Sequence, residues 1–550
     1  MILQVRSFGR VAAICGLALV ICSCAEPHSD LAGQTSLARP QRLAIQDEIQ
    51  ILLTESAHTD LQLRHFYEAR DYRPVWSGSS AARHRRASVM NILAHAYQQG
   101  LPQGAYPIPA RVPQNKGAHA AAAADLELTR SLISYIHDVR LGRLSPSKVY
   151  RDIRLPHRYF PPAMELSKAL ASGNLKGFLR RLSPRTFQYH ALVRALAGYR
   201  RIAADGGWRA LGRHPTNAQT AARLAVEDPA FAQFSHPSAS LLAEALRRFQ
   251  ARHGLEPDGV LGPQTKQALN VPVQVRIGEI KANLERWRWL PRRLPQRYVV
   301  VNVAAQRAAM IEHGRTTLES KVVIGRNLAG DTTPILVTEA HAIVANPVWT
   351  IPGDIASAVL LPRLKQDPSY LKSRHMELVG VPAHTQIDWA KFQNGQLPYQ
   401  VIQLPGPGNA LGNLMFDMPN HFDVYLHGTS SPALFDLANR ARSHGCVRVQ
   451  KISQFADLAL EGSVMDPAQT LRGLLATGKT HRLVLAHALP IYLLYWTAEV
   501  EAGGLVAFWP DRYDRDPPLL DMLTPRSRSV WGPTAPSSLA PGRVGTALAR

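Results

Sequence analysis

The periodicity of the chain changes once, after Arg286-Trp287-Arg288-Trp289-Leu290-Pro291, and that change limits what each half can fold into. Before it, apolar residues recur at helical spacing. Ile45, Ile49, Ile51 and Leu52 begin one amphipathic run, and Leu61 to Tyr67 continue another. Arg73-Pro74-Val75-Trp76 with Ser77-Gly78 ends that run, because proline disfavours helix in the residue before it. Ala120 to Leu141 reads as a further helix closed by Gly142. Ser183 as a cap and Pro184 in the first turn predict another, running on through Tyr189 to Tyr199. After Pro291 the runs are β-branched and bounded by turn residues: Tyr298 to Val303, Lys321 to Gly325, Ala342 to Asn346, Phe422 to Leu426 and Arg482 to Leu485. No long helices separate them, which predicts a mostly antiparallel β domain.

The expected fold is therefore a multidomain α+β chain. Residues 46–230 form a helical scaffold, and residues 290–500 form the β domain. A Lys/Arg-rich stretch at about 356–395 interrupts the strand pattern and reads as an inserted cap. The apolar run Leu483 to Trp496 is broken by His487 and Pro490 and is not taken as membrane-spanning. Residues 521–550 are rich in Pro, Ser and Arg and read as a disordered tail.

The N-terminus sets the compartment. Arg6 and Arg10 precede the apolar run Val11 to Ile21, too short to span a bilayer but suited to a secretory signal over residues 1–24. Ile21-Cys22-Ser23-Cys24 resembles a lipoprotein signal with Cys24 as the lipidated residue, which would anchor the chain at the periplasmic face of the membrane. Cleavage near Ala25 is the alternative. Residues 25–45 are polar and read as a tether. Cys15 and Cys22 depart with the signal, and Cys24 is lipidated or lost. Of four cysteines, Cys446 is then the one thiol left, with no partner for an internal disulfide. A leftover thiol in an oxidising compartment is an accident or a reactive group. The net charge of +22 favours anionic partners. The chain carries no recognisable nucleic-acid motif, so nucleic acid is not expected among them.

The chemistry gathers between His427 and Val449, HGTSSPALFDLANRARSHGCVRV. His427 lies nineteen positions before Cys446, after the expected strand Phe422 to Leu426, and Cys446 precedes the expected strand Val447-Arg448-Val449. Two neighbouring strand ends bring a thiol and an imidazole together. The expectation is a nucleophile, Cys446, with His427 as its general base and acid, the thiol pKa being lowered by its neighbours. Gly445 permits close backbone approach. The N–H groups of Gly445 and Cys446 are candidates to hold an oxyanion, a contribution of about 3–4 kcal/mol per donor. Ser443 and His444 are expected to hydrogen-bond around the thiolate. The order His before Cys is opposite to that of papain-like proteases. A zinc site on His427, His444 and Cys446 lacks the usual ligand spacing.

Two resemblances follow. FQARHGLEPDGVLGPQTKQALN, within residues 231–275, resembles the peptidoglycan-binding helical module of cell-wall enzymes: a Ser-started helix stopped at Gly254, an Asp258-Gly259 turn, and a second helix opened by Gly262-Pro263-Gln264-Thr265 and ended at Asn270. His427-Gly428-Thr429 followed by Ser443-His444-Gly445-Cys446 resembles the YkuD-type L,D-transpeptidase signature. Ile324-Gly325-Arg326 with Thr333-Pro334, Asn346 to Pro352, Leu404 to Gly412 with Met415-Phe416, Phe66 to Trp76 and Arg140 to Pro146 are similar to the large YcbB-like branch of that family. Arg448 departs from the simplest motif, where many members carry Asn.

The family resemblance implies a cysteine acyltransferase. Cys446 attacks the carbonyl that joins the L-centre of diaminopimelate to the terminal D-Ala of a tetrapeptide stem. D-Ala leaves, and a second stem amine resolves the thioester as a 3→3 cross-link. It implies the backbone carbonyl of Gly428 as the group orienting His427, Tyr425 and Arg448 as substrate-binding residues, and acylation by carbapenems. It implies no metal or organic cofactor, and peptidoglycan stems and glycan as partners. The alternatives are L,D-carboxypeptidase or D-amino-acid exchange at the same site, or a non-catalytic peptidoglycan-binding scaffold.

Overall fold

A computed structural model describes residues 39–55, 60–110, 117–382, 385–392 and 395–524. The expected signal, Cys24 and the expected tail beyond 524 lie outside these residues. Residues 39–45, expected in the tether, already belong to the helix Arg39–Glu55, and 521–523, expected in the tail, close the helix Asp516–Leu523. No helix of the described residues is long and apolar enough to cross a membrane.

The helix Gly117–Leu141 is the axis of the scaffold, and Gly142 ends it at φ +98°. Its buried Asp125 would be costly without partners. It accepts from the backbone N–H groups of Val75 and Trp76 at 3.0 and 2.9 Å and from the Tyr67 hydroxyl at 2.7 Å. That fixes the turn between Phe66 and Trp76. The scaffold's own core runs only from Ile45 to Leu182. The next long helix, Phe187–Ala204, packs instead with the β domain. Thr186, not Ser183, caps it: the Thr186 side chain accepts from the Tyr189 N–H.

The small helical module pairs Ala239–Ala251, capped by Ser238, with Pro263–Leu269. Gln250 is buried and knits the Asp258-Gly259 turn, donating to Asp258 and the Val260 carbonyl and accepting from the Gly259 N–H. The core of this module also takes in Leu211, Leu224 and Phe231, so the unit begins upstream of residue 231.

Fifteen strands among the described residues follow in chain order: β1 (Ile153–Arg154), β2 (Arg297–Asn302), β3 (Arg307–Glu312), β4 (Arg315–Gly325), β5 (Ile335–Ala345), β6 (Trp349–Ile351), β7 (Met376–Leu378), β8 (Val401–Gln403), β9 (Leu414–Asp417), β10 (Leu426–His427), β11 (Ala441–Ser443), β12 (Val447–Val449), β13 (His481–Leu494), β14 (Ala498–Val500) and β15 (Val506–Phe508). The main sheet closes on itself in the order β5-β13-β2-β3-β4-β12-β10-β9, with β9 returning to β5. Pairings are mostly antiparallel. The parallel ones, β13 on β2 and β10 on β12 among them, join strands linked by long connections, as parallel pairing requires. The apolar run Leu483 to Trp496 falls in β13 as far as Leu494; the register of that strand shifts between Val484 and Leu489, and Pro490 follows in register opposite Glu339.

The inserted cap has its own three-stranded sheet, β6-β8-β7, and its own core around Leu360, Leu364, Trp389 and Val401. It spans residues 349–403, wider than the sequence pattern indicates, because its first and last strands, β6 and β8, lie outside the Lys/Arg-rich stretch.

Candidate active site

The expected strand Phe422 to Leu426 is mostly a turn. Asp423 sits at φ +50°, and the Asn420 side chain accepts from Phe422 N–H and donates to the Val424 carbonyl. Only Leu426 and His427 remain extended, as β10. The turn delivers the Asp423 carbonyl to the site, where it accepts from Cys446 Sγ at 3.7 Å.

β10 and β12 run parallel, with His427 opposite Arg448 and Leu426 opposite Val447. The Val447 N–H donates to the Tyr425 carbonyl at 2.9 Å. Side chains alternate faces along a strand. Tyr425, His427, Cys446 and Arg448 therefore share one face, and all four line a pocket of about 610 Å³. Ser443 and His444 reach the same pocket, and the cap supplies Trp349, Thr350 and Asp354 to its rim. Gly428 and Gly445 do not line it.

The thiol is not acidified. Burial pushes the Cys446 pKa up, against the smaller opposing effects of the Tyr425 N–H and Arg448, with Asp423 adding to the rise. Burial, then Arg448, pushes His427 down to about 4, although the carbonyls of Leu411 and Gly428 favour its charged form. The thiol and the imidazole on this pocket wall both rest neutral, a correction to the lowered thiol pKa expected from sequence. The reason is burial, the largest influence on both groups, which disfavours charge on either. His427 Nδ1 is buried and makes no hydrogen bond of ordinary geometry, with the Leu411 and Gly428 carbonyls near the ring.

Ser443 departs from its expected place around the thiolate. Its hydroxyl donates to the Cys446 carbonyl at 2.6 Å and accepts from the Gly445 N–H at 3.3 Å. It shapes the turn and engages the Gly445 N–H that was expected at an oxyanion. His444 is exposed on the pocket wall, its pKa lowered by burial of the ring and by Arg326, itself ion-paired to Asp331 at 2.6 Å.

Behind the nucleophile lies a latch that the sequence did not announce. Gly445 stands at φ +112°, a backbone region that favours glycine. Its carbonyl accepts from Thr333 Oγ1 at 2.8 Å, and Thr333 Oγ1 accepts in turn from the Gly325 N–H at 2.9 Å. The Tyr513 hydroxyl donates to the Gly325 carbonyl at 2.5 Å. A Cβ on Gly325 would stand 1.9 Å from the Asp331 carbonyl oxygen, so only glycine fits there. Thr333 was visible beside Pro334, but the pattern offered no signal for Tyr513.

Arg448 carries the site's free positive charge. Its Nη1 donates to Thr429 Oγ1 at 3.4 Å, and its buried Nε has no partner. Burial lowers its pKa.

Three family models match the chain. Residues 296–467 match the model described as "L,D-transpeptidase catalytic domain", named YkuD. Residues 61–196 match "Scaffold domain", and residues 235–269 match "Putative peptidoglycan binding domain". A protein of Haemophilus influenzae strain Rd named "Putative L,D-transpeptidase" is 34% identical over 222 residues, covering 40% of this chain and 44% of that relative. The chain thus spans less than half of that relative's length. The L,D-transpeptidase of Xylanimonas cellulosilytica aligns at 16% identity over 46% of this chain and 79% of that one, with a TM-score of 0.15, too low to bear on the fold. In sequence order the chain carries segments that match a scaffold domain, a peptidoglycan-binding domain and an L,D-transpeptidase catalytic domain.

Proposed function

We propose that the chain cross-links peptidoglycan by cysteine acyl transfer. The observation that carries this reading is the common face of Tyr425, His427, Cys446 and Arg448 on one pocket. The Cys446 sulfur attacks the donor carbonyl while His427 takes the thiol proton. The carbon–nitrogen bond to D-Ala breaks, His427 returns the proton to the leaving amine, and a thioester remains. The acceptor amine of a second stem attacks the thioester, its proton passes to His427, and the carbon–sulfur bond breaks to restore the thiol. Because both partners rest neutral, proton transfer accompanies attack rather than preceding it. The unpaired Arg448 guanidinium receives a stem carboxylate, and protonated Tyr425, its pKa raised by burial and by Asp423, donates a hydrogen bond at the same wall. The small module holds glycan, and the chain works at the periplasmic face of the envelope, anchored through Cys24.

Incubation with disaccharide-tetrapeptide, read by mass spectrometry, tests this. The expected product is a dimer that has lost one D-Ala. Tripeptide alone would assign hydrolysis instead, and incorporation of an added D-amino acid would assign exchange. Cys24→Ser is expected to release the protein from membranes; unchanged partition would refute lipidation. A carbapenem is expected to add once, at Cys446.

A further inference from the structure

Six arginines converge where the scaffold meets the segment leading into the β domain, away from Cys446. Arg140, Arg158, Arg292 and Arg293 line a pocket of about 630 Å³ together with Tyr159. Arg181 and Arg185 add positive potential at Arg292. Backbone ties hold the cluster together. Arg158 donates to the carbonyls of Arg288 at 2.6 Å, Leu290 and Arg140, and the Arg185 N–H donates to the Arg292 carbonyl at 3.0 Å.

Among the described residues none of the six is ion-paired. Elsewhere in the same domains arginines find carboxylates: Arg143 with Asp138, Arg286 with Asp516, Arg288 with Glu285. Here burial and then Arg140 press Arg158 down to about 10, and burial and then four like charges lower Arg292. Arg292 Nε and Nη2 are buried with no acceptor. Like charges gathered beside unsatisfied donors destabilise a fold unless something supplies the missing acceptors.

We propose that this pocket binds a phosphate-type oxyanion. A carboxylate brings one charge and fills one guanidinium fork. A phosphate or diphosphate group brings more charge and enough oxygens for several forks at once. The source is a soluble phosphate ester or the headgroup of an anionic lipid. Nothing in the proposal depends on the acyl-transfer reading.

Titration of the full chain with inorganic pyrophosphate, at ionic strength fixed with chloride, tests the pocket directly. The expected result is saturable binding that weakens at least about tenfold in Arg292→Gln/Arg293→Gln. Without ligand that double variant is expected to unfold at the same temperature as the parent or higher, since it relieves repulsion. Co-sedimentation with phosphatidylglycerol vesicles against phosphatidylcholine vesicles separates the two sources. Vesicle binding lost in the double variant, with no pyrophosphate binding, assigns the lipid headgroup. Parent and variant behaving alike toward both probes, or neither binding either, overturns the proposal. If the double variant fails to fold, Arg293→Gln, on an exposed side chain, is read the same way.

Discussion

Thr333→Val removes one hydroxyl and leaves the side-chain shape nearly unchanged. Two backbone groups then lose their partner: the Gly445 carbonyl, bonded at 2.8 Å, and the Gly325 N–H, bonded at 2.9 Å. Thr333 is fully buried, so water does not replace the hydroxyl there. Each orphaned buried group costs about 1–3 kcal/mol, so the substitution is expected to destabilise the catalytic domain by roughly 2–6 kcal/mol. The chemical consequence is more specific. Gly445 directly precedes the nucleophile and is held at φ +112°, so freeing its carbonyl lets the turn that aims Cys446 relax. The assay is the rate of Cys446 acylation by a carbapenem, followed by intact mass, beside thermal unfolding. Acylation is expected to slow at least about tenfold with the inhibitor's binding constant little changed. Thr333→Ser restores the hydroxyl and is expected to recover most of the rate. Parental stability and parental acylation in Thr333→Val would refute the latch. Equal loss in the valine and serine variants would assign the effect to packing instead.

Further expectations concern the pocket and its pH response. The folded His427 pKa of about 4 lies below its ordinary 6.5, so the unfolded chain takes up the proton first as pH falls. The contribution is complete above about pH 6.5 and is lost toward pH 4, a span worth roughly 3 kcal/mol, read by denaturant unfolding at each pH. The acid limb of acylation is expected near pH 4 for the same reason; a limb near 6.5 would contradict a buried neutral imidazole. Arg448→Gln is expected to raise the KM for tetrapeptide at least about tenfold with the fold intact, and an unchanged KM would remove it from substrate binding. Gly325→Ala is expected to yield no folded catalytic domain, since its Cβ meets the Asp331 carbonyl at 1.9 Å; a soluble, folded variant by circular dichroism would contradict that contact.

The meeting of the site residues was legible where it depended on residue type at fixed spacing. Tyr425, His427, Ser443, His444, Cys446 and Arg448 do meet in one pocket. Periodicity located the Gly117–Leu141 helix and both helices of the small module, because caps and glycine stops are local signals. Three features escaped for physical reasons. The positive φ of Asp423 shortens the strand before His427, and nothing in an alternating Phe-Asp-Val-Tyr-Leu run signals that conformation. Thiol and imidazole pKa values follow burial, which is a tertiary property, so the sequence suggested a lowered thiol and the fold raises it. The Tyr513 contact joins residues 188 positions apart, beyond the reach of any local pattern.

Peptide mapping of the protein quenched during turnover of disaccharide-tetrapeptide tests most directly whether Cys446 carries the acyl group. The expected result is a stem peptide, shortened by one D-Ala, held as a thioester on Cys446, with adduct and cross-linked product both absent in Cys446→Ala. Cross-linked dimer formed by Cys446→Ala, or an acyl group mapped to any other residue, would contradict it.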